Sequence, residues 1–97
     1  MAWQIEHLTF PRSETDITDW AVELHLVMPE WDWKTVAPLF DCAGAFTIPA
    51  DEAGRMAEVL QEAACSPRMY PSIVRLTEDI AAAAKQAAVL GKPWRWS

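Results

Sequence analysis

The sequence predicts a single small α+β domain in which a two- or three-stranded sheet packs against about four helices. The chain has 97 residues, enough for one hydrophobic core and too few for two of ordinary size. Apolar residues make up 52% of it and charged residues 23%, values typical of a folded globular protein. Helical and strand-like apolar patterns both occur along the chain, a mixture that favours the α+β class.

Three short segments have the pattern of strands. Residues 2–10 alternate between two faces, and Pro11 ends the alternation. Residues 45–48 are apolar, with β-branched and aromatic side chains. Residues 93–96 place two tryptophans on one face if they are extended. We therefore expect strands near these three positions.

Four segments have apolar residues at helical spacing. They are residues 15–28, 30–37, 50–65 and 71–90. Ser13 and Thr15 are candidate N-caps of the first helix, and Gly91 is suited to end the last one in a left-handed conformation. The last helix is rich in alanine, whose small size lets another backbone approach closely. We expect that side of the helix to be buried.

The net charge of −6 is unevenly distributed. Residues 1–62 hold 12 acidic and 3 basic side chains, whereas residues 63–97 hold 2 acidic and 5 basic ones. A negative surface disfavours binding of nucleic acid, so a protein with a basic surface is the favoured partner. Since no secretory signal or membrane-spanning run is recognisable, we expect a cytoplasmic location and no membrane association.

Little in the sequence supports catalysis or metal binding. His7 and His25 are the two histidines, and neither stands in a motif that would orient it as a general base. Cys42 and Cys65 lack the spacing of metal ligands, and the three glycines form no phosphate-binding loop. We therefore predict no catalytic residues, no metal and no cofactor. An enzyme or small-ligand binder would need a pocket converging on one of the histidines or on Cys42.

Six tryptophans are the most unusual feature of the composition. They are Trp3, Trp20, Trp31, Trp33, Trp94 and Trp96. Most are expected to pack in the interior, although exposure of Trp94 and Trp96 stays open. Trp31 points away from the apolar stripe of its helix, which makes it a candidate binding anchor. Partial burial of Trp31 against Leu39 or a neighbouring loop is the alternative.

The first helix carries further candidates for a partner surface. Val22 and Leu26 lie outside its main apolar stripe, so either a second layer or a partner covers them. Carboxylates follow on its polar side and just beyond it. The predicted partner-binding residues are Trp31, Asp16, Asp19, Val22, Glu23, Leu26, Glu30 and Asp32. A solvated helix face is the ordinary explanation of the carboxylates, and a ridge that binds a basic groove is the functional one.

Three short motifs resemble a known family. They are Trp3-Gln4-Ile5, Phe46-Thr47-Ile48-Pro49 and the closing run from Gly91 to Ser97. Together they resemble a family of small uncharacterised actinobacterial and actinophage proteins over nearly the whole chain. That family has no assigned activity, so the resemblance implies no functional residue. It implies a cytoplasmic setting and a phage or mobile-element origin, which favours a small inhibitor or regulator.

The sequence therefore favours a small, acidic, non-enzymatic module for protein interaction or regulation. Whether it forms a homodimer stays open. The first alternative is a phage-derived inhibitor that occludes a basic nucleic-acid-binding site on a host enzyme. The second alternative is a small-ligand-binding protein or an enzyme.

Overall fold

The computed structural model describes residues 2–41 and 44–97, and it has the α+β architecture that the sequence predicts. The elements, in chain order, are β1 (Ala2–Trp3), β2 (Arg12–Ser13), α1 (Glu14–Val27), α2 (Glu30–Val36), a 3₁₀ turn (Ala37–Phe40), β3 (Phe46–Ile48), α3 (Ala50–Ala64), α4 (Pro71–Leu90) and β4 (Trp94–Trp96). Each predicted helix agrees with the observed one to within one residue at either end.

Two caps explain where the first and last helices begin and end. The Ser13 hydroxyl accepts a hydrogen bond from the backbone N–H of Asp16 at 3.0 Å, so the earlier of the two predicted N-caps is the one used. Gly91 has a left-handed backbone with φ of 67°, and the N–H of Lys92 donates to the carbonyl of Ala87 at 3.2 Å. This cap reverses the chain from α4 into β4.

The prediction of one strand over residues 2–10 is wrong beyond Trp3. β1 is only two residues long and pairs antiparallel with β2. The chain then turns: the N–H of Leu8 donates to the carbonyl of Ile5 at 3.0 Å, and His7 has a positive φ of 71°. Histidine is among the residues that enter this region more readily than most, and an alternating side-chain pattern gives no warning of such a turn.

In place of the single two- or three-stranded sheet that the sequence predicts, the described residues form two separate two-stranded sheets, β1 with β2 and β3 with β4. β3 pairs antiparallel with one edge of β4, with Phe46 opposite Trp96. On the other edge, Gln4 and Ser97 exchange two backbone hydrogen bonds of 2.7 and 2.9 Å, and Ile5 forms an isolated bridge with Trp96. The N-terminal segment therefore covers β4 without forming a regular strand there.

Three tryptophans form the centre of the core. Trp20, Trp94 and Trp96 are fully buried, which confirms that they pack inside. The indole N–H of Trp20 donates to Thr77 Oγ1 at 2.9 Å, and that of Trp94 donates to the carbonyl of Glu6 at 3.0 Å. The indole N–H of Trp96 has no partner within residues 2–41 and 44–97. The two bonded indoles tie α1 to α4 and the N-terminal turn to β4.

α3 and α4 form an antiparallel hairpin and make the most extensive helix contact of the fold. Small residues line it, as the alanine content predicts. A Cβ placed on Gly54 would lie 3.4 Å from the Cβ of Ala88, so the two backbones approach closely there. This hairpin is the support on which the other helices rest.

α2 is held against α1 by stacked aromatic rings. The Trp33 ring stacks on His25 at 4.4 Å between centroids and on Phe40 at 5.5 Å. Phe40 in turn meets Trp20 edge to face at 5.4 Å. This chain of rings runs from the surface to the core and fixes which side of α2 faces inward.

A candidate protein-interaction face

Trp31 is the most exposed of the large apolar side chains in the described residues, with 73% of its surface accessible. It lies two positions from Trp33, or about 200° around the helix, and Trp33 occupies the inward side through its stack on His25. Leu39 is in the core with 2% exposure. The alternative of partial burial against Leu39 is therefore wrong, and the ring projects into solvent.

Val22 and Leu26 form an apolar pair on the outer side of α1. They lie one turn apart and are 56% and 62% exposed, while Trp20 and Leu24 occupy the buried side of the same helix. No second layer covers them among the described residues. Val22, Leu26 and Trp31 are called the apolar patch below.

His25 connects α1, which carries Val22 and Leu26, to α2, which carries Trp31. Its ring stacks on Trp33, and its Nε2 lies 3.6 Å from a carboxylate oxygen of Glu30. On α1, the patch residues lie three positions before His25 and one position after it. On α2, Trp31 directly follows Glu30. Val22 and Leu26 therefore lie on the outer side of α1 near its contact with α2, and Trp31 lies on the outer side of α2, away from the side that meets His25.

Five carboxylates on α1 and α2 are called the acidic rim. They are Asp16, Asp19, Glu23, Glu30 and Asp32. Glu23 and Asp32 are half-buried, and the other three are exposed. Residues 13–33 contain six carboxylates, the rim and Glu14, and no lysine or arginine. This stretch of chain is therefore negative, and the next cation along it, the exposed Lys34, lies about one turn after Trp31 on α2.

Asp16 and Asp19, at the start of α1, do not form part of a purely negative ridge as the sequence predicts. Asp16 and Asp19 line a groove of about 400 Å³ between α1 and α4, and Arg12 and Arg75 line it with them. Both arginines are paired with Asp79, at 3.9 and 3.4 Å. The charge is therefore mixed at this groove, because Arg12 of β2 and Arg75 of α4 line it together with two of the carboxylates.

The residues proposed for a catalytic or ligand pocket lie in different surroundings. His7 is 3.8 Å from a carboxylate oxygen of Glu6 and lines an open depression with Arg95. His25 lies against α2, as described above, and Cys42 is outside the described residues. In residues 2–41 and 44–97, no three side chains of His, Cys, Asp or Glu are grouped as metal ligands.

Four exposed large apolar residues in the described part of the chain were not singled out from the sequence, namely Phe10, Tyr70, Val89 and Leu90, and the last two are adjacent. Val89 and Leu90, in the last turn of α4, are 72% and 48% exposed. A signal for Val89 was present, because it lies two positions, or about 200°, from Ala87 on the buried side. The alanine pattern indicates which side of α4 is packed, but it does not indicate what the opposite side exposes.

The charge around Trp31 predicts how its fluorescence is quenched. We expect caesium ions to quench the accessible tryptophan emission more strongly than iodide, because Glu30 and Asp32 flank the exposed ring. A Trp31→Phe variant should lose most of the quenchable emission, since the other five tryptophans are buried or half-buried. Stronger quenching by iodide, or no change in the variant, would contradict this description.

Comparison with known proteins gives a family but no activity. Residues 6–97 match the family described as Domain of unknown function (DUF7739). No curated protein and no solved structure matches the chain. The family match agrees with the resemblance to an uncharacterised family, whereas an actinobacterial or phage origin stays a prediction. In the described part of the chain, no helix has the length and apolar character needed to cross a membrane.

Proposed function

The chain belongs to the DUF7739 family, and for this member we propose a cytoplasmic, non-enzymatic interaction module that binds another protein through the apolar patch and acidic rim. One observation carries the proposal: Trp31 has 73% of its surface exposed, on a helix that follows a carboxylate-rich stretch of chain. Exposed tryptophan is a common anchor of protein interfaces, because its large ring is buried when a partner binds.

Burial of the apolar patch by a partner would favour binding. Fully burying one large apolar side chain contributes about 1.5–3 kcal/mol. Trp31, Val22 and Leu26 each expose more than half of their surface. An interface that covers all three has an apolar centre of the kind in which binding energy is concentrated, with polar groups around it.

The acidic rim specifies the chemistry of the partner. Because no lysine or arginine occurs in residues 13–33, a partner with lysine or arginine around an apolar pocket complements this face. Exposed rim charges act mainly on the association rate and its salt dependence, whereas the buried anchor acts on affinity. The patch and the rim therefore make separable contributions to binding.

Capture of a partner from an extract of the source organism tests this function. We expect Trp31→Ala to weaken capture by about 2 kcal/mol or more, which is about 30-fold in affinity, while the fold stays intact because the ring is exposed. The matched control is Tyr70→Ala, which removes another exposed aromatic ring, 64% accessible, far along the chain. Bound proteins are identified by mass spectrometry, and circular dichroism monitors the fold.

Equal losses in the two variants, or undiminished capture by Trp31→Ala, would count against the anchor. The same experiment separates the second candidate function, a phage-derived inhibitor that occludes a basic nucleic-acid-binding site on a host enzyme. The run of six carboxylates without a basic residue favours that candidate. It requires capture that falls steeply with salt and with Glu23→Gln or Glu30→Gln, and that depends little on Trp31.

A further inference from the structure

A second exposed apolar site lies in the basic C-terminal part of the chain. It comprises Val89 and Leu90 with Lys85 and Lys92, and is called the basic end below. From residue 80 to residue 97 the chain has three basic side chains and no acidic one. In the part of the chain that the structure describes, seven large apolar residues are exposed, and five of them belong to the apolar patch or to the basic end. Exposed apolar residues therefore occur beside negative charge at the apolar patch and beside positive charge at the basic end.

Val89 and Lys85 of the basic end lie on the same solvent-facing side of α4. Lys85 lies one turn before Val89 on the same side of the helix. α3 packs on another side, where Ala88 meets Gly54, and the first turn of α3 carries Asp51 and Glu52. Asp51 and Glu52 therefore place negative charge on the side of the basic end that is turned toward α3.

The two sites do not cover each other within one molecule, because the apolar residues of both are exposed. α4 contacts α1 where Trp20 donates to Thr77. Val89 lies 12 residues beyond Thr77, which is about 18 Å along the helix. One molecule therefore presents both sites to solvent at the same time.

We propose that the basic end of one copy docks on the apolar patch and acidic rim of a second copy, so that the protein associates head to tail. Two acidic faces placed against each other would repel, whereas an acidic face and a basic end attract. Such a heterologous contact leaves one free site of each kind, so copies add one after another. The inference rests on the proposed function, because the external partner and the second copy compete for one face.

Complementary variants test the head-to-tail contact by sedimentation velocity. Trp31→Ala disables the acidic face, and Val89→Glu disables the basic end; both side chains are more than 70% exposed, so the fold is retained. We expect the wild type to form species larger than a dimer as concentration rises, and to lose them at high salt. Each variant alone should associate at least about 30-fold more weakly. An equimolar mixture of the two should form a dimer and stop there.

Two outcomes would overturn the inference. If Val89→Glu dimerises as well as the wild type, the contact is symmetric and does not use the basic end. If the wild type remains monomeric up to about 1 mM, where even a contact of about 4 kcal/mol is populated, the copies do not associate. Neither result affects the proposed function, which is judged by whether Trp31→Ala reduces capture of an external partner.

Discussion

Replacing Trp94 with alanine is expected to lower the free energy of unfolding by about 3–5 kcal/mol. The side chain is fully buried, its ring meets Trp96 edge to face at 5.3 Å, and its N–H donates to the carbonyl of Glu6 at 3.0 Å. The change leaves a cavity and leaves that carbonyl without its donor. Domains have a total stability of about 5–15 kcal/mol, so the loss would be a large part of it.

Urea denaturation followed by circular dichroism measures this loss. The matched control is Arg95→Ala, because Arg95 is the next residue of the same strand and is exposed. We expect it to change stability by no more than about 0.5 kcal/mol. Trp94→Phe keeps most of the ring and isolates the contribution of the hydrogen bond. A loss for Trp94→Ala no larger than that for Arg95→Ala would mean that β4 does not pack into the core.

The helices could be predicted because the spacing of their apolar residues, their capping residues and their lengths all indicate the same boundaries. α4 has apolar residues at helical spacing, begins at Pro71 and ends before Gly91 in a left-handed cap. The N-terminal segment could not be predicted in the same way. Its alternation resembles a strand, but the chain turns at His7, where no glycine, asparagine or proline marks a turn.

The candidate site was predictable where it depends on one helix. The outward direction of Trp31 follows from the position of Trp33 on the stripe of α2. The burial of Trp94 and Trp96 does not follow from their strand, because it requires β3 on one edge and the segment around Ile5 on the other. Likewise, Arg75 lies beside Asp16 and Asp19 through the packing of α1 on α4, which no local pattern encodes, whereas Arg12 precedes Asp16 by only four residues.

That packing depends on one residue. Trp20 is fully buried on α1, donates to Thr77 on α4 and meets the Phe40 ring, which is stacked on Trp33 of α2. The same side chain therefore sets the position of α1 relative to both neighbours. Because the apolar patch and the acidic rim lie on α1 and α2, their arrangement is expected to depend on it.

Trp20→Ala is accordingly expected to lower the free energy of unfolding by about 3–5 kcal/mol, measured by urea denaturation. Asp19→Ala is the control, because Asp19 is the preceding residue of the helix and is exposed, and we expect it to stay within about 0.5 kcal/mol of the wild type. Trp20→Phe leaves the Thr77 hydroxyl without its donor and should fall between the two. If Trp20→Ala cost less than about 1 kcal/mol, α1 would not be anchored on α4 through this ring. The arrangement of the apolar patch and the acidic rim would then not depend on Trp20.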